Sequence, residues 1–160
     1  MALTLPDICG RLENPKNGSE ARYVAWWKKY LEKKYTNPPN RFRQVAQVNL
    51  SGGDVYALRC ALLHEGQDDI LNQRARVALS KFHFITPPAN GVIHGNYTNN
   101  AMQLQVDIFC NDICEGVLRW LEDTKGNETV KAGLDAIITI HDSDKGFDIG
   151  IVKIAPPNKV

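Results

Sequence analysis

Hydrophobic positions fall into three helical stripes, and polar or turn-forming residues mark where each stripe ends. After Ser19, the residues Tyr23, Trp27, Tyr30 and Leu31 recur at i, i+4, i+7 and i+8, which predicts a helix through about Tyr35 with one core-facing side. Asn37-Pro38-Pro39-Asn40 stops it. A second run, Val55 to Leu63, is apolar on nearly every face and reads as a helix buried on most sides. Ser51 with Asp54 forms a Ser-x-x-acid cap for it, and Gly66 supplies the left-handed turn that ends it. The longest stripe is Met102, Val106, Phe109, Ile113, Val117 and Trp120, widened by Leu104, Ile108 and Leu121. It predicts a helix from Asn99 or Asn100 to about Asp123.

The remaining segments carry weaker patterns. Residues 1–18 are turn-rich, but Leu3, Leu5, Ile8 and Leu12 suit a partial helix docked on the core. Asp68 to Val77 reads as a short polar helix. Residues 78–85 alternate in part and read as a strand, with Pro87-Pro88 and Asn90-Gly91 turning into an antiparallel partner at 92–97. Ala136–Ile140 and Phe147–Ile151 flank Asp142 to Gly146 as a C-terminal hairpin, although 128–138 also fits a helix. The expectation is one α+β domain over residues 1–160. It is mainly helical, with the 19–35, 54–65 and 100–123 helices packed together, a small antiparallel sheet and a frayed tail from Pro156.

Composition narrows the function. The net charge is +1, so no global field draws the chain to nucleic acid or membrane, and any such binding needs a local patch. One patch stands out: from Arg22 to Arg43 there are seven basic residues against a single acid, Glu32. Lys28, Lys29, Lys33, Lys34, Arg41 and Arg43 are its candidate phosphate contacts, with tryptophans and tyrosines close by in sequence. The same lysines also suit a plain solvated helix face. No run approaches the ~20 apolar residues of a membrane span, and the N-terminus lacks the basic start of a signal peptide, so a cytoplasmic setting is expected. The four cysteines are then expected to be reduced. Cys110 and Cys114, four residues apart on the long helix, read as buried thiols. Zinc-ligand spacing is missing, and Ser51-Gly52-Gly53 lacks the Lys-Ser/Thr ending of a phosphate-binding loop, so neither metal nor cofactor is expected.

The most informative residue is Arg59, in the middle of the apolar run, with His64 in the last turn of the same helix. Burying a guanidinium is costly unless a partner compensates it. Asp107 and Asp112 on the long helix are candidate partners, and His64 would sit well over the last-turn carbonyls. Arg59-Cys-Ala-Leu-Leu-His64 also fits Arg-x4-His. Here the chain resembles the HEPN superfamily, whose ribonuclease members carry an Arg-x4–6-His motif in a helical bundle. The resemblance implies metal-independent RNA cleavage, commonly in toxin–antitoxin or other defence settings, at a site where two protomers meet. Arg59 would hold the scissile phosphate, and His64 would be the general acid/base for attack by the ribose 2′-hydroxyl. The chemistry suits the side chains, a permanently charged fork for phosphate and an imidazole that titrates near neutrality. On a regular helix i and i+5 lie roughly 140° apart, so the two side chains do not share a face. The competing reading is a non-catalytic helical module that binds RNA or a protein partner.

Overall fold

The structure, a computed structural model, describes residues 2–137, 141–150 and 152–155. Helix α1 (Leu5–Glu13) starts with proline in its first turn, where the missing N–H costs nothing. Helix α2 (Ser19–Tyr30) follows and tightens into a 3₁₀ turn at Glu32–Tyr35. Helix α3 (Gly52–Glu65) has the expected ends: the Ser51 side chain accepts from the Asp54 N–H, and Gly66 has φ 66°. Helices α4 (Val106–Thr124) and α5 (Glu128–Asp135) follow.

Helix α2 packs against α1, α3 and α4, and the aromatic stripe read from the sequence is its core face. Tyr23, Trp26, Trp27 and Tyr30 are buried there with Val55 and Leu58 of α3 and Phe109, Ile113 and Trp120 of α4. Trp27 lies 6.3 Å from Phe109 between ring centroids and donates its indole N–H to the Leu50 carbonyl at 3.2 Å. Close approach needs glycine at two points. A Cβ at Gly116 would meet the Trp26 ring at 2.8 Å, and one at Gly53 would meet the Ala75 carbonyl at 2.5 Å. Beside Gly53, the buried Asp54 Oδ1 accepts from the backbone N–H groups of Val77, Ala78 and Leu79 at 2.9, 3.0 and 3.1 Å. That carboxylate fastens the returning chain to the start of α3.

Several expectations are corrected. Residues 101–105 are not the first turn of the long helix but a strand, β5 (Ala101–Gln105). It lies between β3 (Lys81–Ile85) and β4 (Asn96–Thr98), parallel to β3 and antiparallel to β4, so this sheet is mixed, not antiparallel. Segment 92–97 therefore does not pair with 78–85. The hairpin turn is Asn99-Asn100, both with positive φ (51° and 59°), which asparagine tolerates better than most residues. Asp68 to Val77 forms turns and no helix; Ile70 is buried within them. Residues 128–135 are helical, the alternative to the C-terminal strand. Phe147–Asp148 (β6) pairs instead with Lys153–Ile154 (β7), while 138–140, Ile151 and the tail from Pro156 lie outside the described residues. A two-stranded ladder, β1 (Thr36–Asn37) with β2 (Gln47–Val48), sits at the foot of α2.

Candidate functional site

Helix α3 carries Arg59 toward α1 and α2. The guanidinium Nη2 donates to Asp7 Oδ2 at 2.9 Å, so its partner is Asp7 of α1 and neither Asp107 nor Asp112. Arg22 Nη2 reaches the other Asp7 oxygen at 3.4 Å, and the Ser19 hydroxyl donates to it at 3.0 Å. The side chains of Arg22, Asp7 and Arg59 are 9%, 17% and 19% exposed, so the group is largely shielded. Two guanidiniums share one carboxylate, which leaves a surplus positive charge. The fit is also incomplete. Among the described residues both arginine Nε atoms are buried without a hydrogen-bond partner, and Arg59 Nη1 finds the Cys60 sulphur at 4.0 Å. The Tyr56 ring lies under the Arg59 guanidinium at 6.0 Å.

His64 is on the last turn of α3, exposed, beside the exposed Leu62 and Leu63. It makes no hydrogen bond or ion pair among the described residues. The helix thus changes character along its length. Val55, Ala57, Leu58 and Ala61 are core, and everything from Leu62 to Gly66 faces water.

The basic segment divides. Lys29 pairs with Asp123 at 3.2 Å, and Lys34 bridges Asp112 and Glu115. Arg43 is inward-tied, donating to Gln47 Oε1 at 2.6 Å and to the Pro38 carbonyl at 3.0 Å. Lys28, Lys33 and Arg41 are exposed and form no ion pair among the described residues. The Arg41 guanidinium lies over the Phe42 ring, 4.5 Å from its centroid.

A further cluster escaped the sequence reading. Asp112 on α4 is 5% exposed; its Oδ2 accepts from the Tyr35 hydroxyl at 2.7 Å and its Oδ1 from the Lys34 ammonium. His94 closes the group, with Nε2 at 3.2 Å from the Tyr35 oxygen and Nδ1 accepting the Gln105 N–H at 3.2 Å. That backbone bond puts the imidazole proton on Nε2, aimed at Tyr35, so His94 is a donor here and not a free base. Burial holds His94 below the ordinary imidazole range, against the pull of the Asp112 carboxylate. Burial and Asp112 together push the Tyr35 phenol up, and Asp112 followed by Glu115 raises Lys34. A cavity of about 320 Å³ opens beside the cluster, with Asn37 and Asn49 on its wall. The one legible signal was a carboxylate on the apolar side of α4. Its partners lie 18 to 78 residues away along the chain, beyond any local pattern.

The cysteines depart from expectation. Cys110 is half-buried and Cys114 exposed, because α4 turns that side away from the bundle; Cys9 is the buried thiol, which desolvation pushes up to about 12. No group of three or more His, Cys, Asp or Glu side chains among the described residues is placed to hold a metal ion. No described helix is long and apolar enough to cross a membrane. No family model, curated protein or solved structure matches the chain.

Proposed function

We propose that the chain is a HEPN-like, metal-independent endoribonuclease that acts as a homodimer in a defence or toxin–antitoxin setting, with Arg59 and His64 as its catalytic pair. The supporting observation is the Arg59 environment. Two guanidiniums face one carboxylate, so the group carries surplus positive charge, and Arg59, the most open of the three at 19% exposed, is the edge at which a phosphodiester would dock. His64 lies one turn further on, exposed and untied, as a proton-transfer group needs to be. Arg59 and His64 project to different sides of α3, so a second copy would complete each site, and the exposed Leu62 and Leu63 beside His64 suit such an interface.

Attack by the ribose 2′-hydroxyl on the adjacent phosphorus breaks the bond to the 5′-oxygen. The products are a 2′,3′-cyclic phosphate and a free 5′-hydroxyl, and no metal takes part. The test is RNA cleavage in EDTA with end-group analysis, beside a substrate carrying 2′-deoxyribose at the cut site. Cyclic phosphate ends, and no cut at the deoxy position, support the reading. Cleavage that EDTA abolishes, or that leaves 5′-phosphate ends, overturns it, and no cleavage of any RNA leaves the non-catalytic binding module as the account.

A further inference from the structure

The β1–β2 hairpin holds an aromatic ring out into water and braces it there. Phe42 is 85% exposed. The turn beneath it is built and not slack: Asn40 Oδ1 accepts from the N–H groups of Phe42 and Arg43 at 2.9 and 3.0 Å. Asn40 and Arg43 also exchange backbone bonds of 2.7 and 3.1 Å, and the Arg43 guanidinium ties the loop to Gln47 and to the Pro38 carbonyl. Pro38 and Pro39 stiffen the approach. Arg41 covers one face of the ring and leaves the other open. The loop's own charges are of one sign: residues 36–50 carry Arg41 and Arg43 and no carboxylate. A rigid platform with an open aromatic face and flanking cations matches unpaired bases, which offer a π-face to stack and phosphates to neutralise.

We propose that Phe42 forms a stacking platform for single-stranded RNA, with Arg41 beside it contacting the phosphate backbone, on a loop separate from the helix that carries Arg59 and His64. The inference rests on the reading that the chain acts on RNA and adds that the RNA is unpaired where it is gripped. A duplex keeps its bases stacked on each other and has no free face to give Phe42.

The test is fluorescence anisotropy of a labelled single-stranded oligoadenylate, in EDTA, with the full chain carrying His64→Ala so that the probe stays intact. Phe42→Ala should weaken binding by about fivefold to a hundredfold, the range of one base–aromatic stack, and Phe42→Trp should restore it. Arg41→Ala should lower the slope of log affinity against log salt by about 0.7, one phosphate contact on a single strand. Phe42→Ala binding as tightly as its parent overturns the proposal. Equal weakening on a matched duplex overturns it too, as does a Phe42-dependent loss seen only on vesicles of anionic phospholipid. The two readings separate cleanly. Phe42-dependent binding without cleavage by the wild type removes the nuclease and keeps the platform; cleavage with a silent Phe42 does the reverse.

Discussion

Replacing Asp7 by Asn measures how firmly Arg59 is held by the fold. The substitution keeps the shape and one acceptor oxygen but removes the carboxylate that two guanidiniums share, and its amide N–H₂ then faces them. Breaking a fully buried ion pair costs about 3–5 kcal/mol, mostly from the charge left behind. The three side chains here are 9–19% exposed, which lets water screen part of that penalty, so about 2–4 kcal/mol is expected. Urea unfolding followed by circular dichroism reads it directly, and for a chain of this size the melting temperature should fall by about 5–15 °C. Asp7→Asn with Arg59→Met removes the stranded charge as well and should recover about 1–2 kcal/mol of the loss. A change within about 0.5 kcal/mol for Asp7→Asn would refute the reasoning, because Arg59 would then behave as an exposed surface pair.

Other consequences are as specific. Asp54→Ala strands three backbone N–H groups and the Ser51 hydroxyl, and should cost about 3–6 kcal/mol; hydrogen exchange at Val77, Ala78 and Leu79 should rise well above that elsewhere in the core. The lowered His94 gives a sign that can be checked. Its unfolded form binds a proton near pH 6.5 and its folded form only lower, so stability should fall as the pH drops from about 6.5 toward the depressed value. His94→Gln should flatten that slope, with Asp112, Lys34 and Tyr35 still facing the site; an unchanged slope would assign it to other groups. Among the thiols, a mass-resolved labelling series in the native state should modify Cys114 first and Cys9 only on unfolding. Early labelling of Cys9 would mean that α1 opens locally.

Much of the architecture was legible because it is local. The ends of α3 follow from Ser51, Asp54 and Gly66, and the α2 stripe follows from four aromatic and leucine positions at helical spacing. What escaped is non-local or ambiguous in period. Met102, Leu104 and Val106 fit both a three-four and a two-residue repeat, and the asparagine turn before them, with the parallel ladder to β3, decides for strand. Half of the site was readable in the same sense. A guanidinium in an apolar run signals a partner, but Asp7 lies 52 residues upstream, and nothing near Arg59 distinguishes it from Asp107 or Asp112. Asp107 instead accepts from the Gln105 amide at 3.0 Å, and Asp112 serves Tyr35 and Lys34. The basic segment was visible as composition; only the side-chain contacts separate the tied Lys29, Lys34 and Arg43 from Lys28, Lys33 and Arg41, which form no ion pair among the described residues.

The proposed chemistry is tested most directly by His64→Ala, because that side chain is exposed and makes no hydrogen bond or ion pair among the described residues. The variant should melt within about 0.5 kcal/mol of the wild type, as an untied surface substitution does. Its rate of RNA cleavage in EDTA should drop by about a hundredfold to ten-thousandfold, the usual contribution of a general acid/base. Wild-type cleavage that His64→Ala leaves at full rate would contradict the account and move the chemistry away from α3.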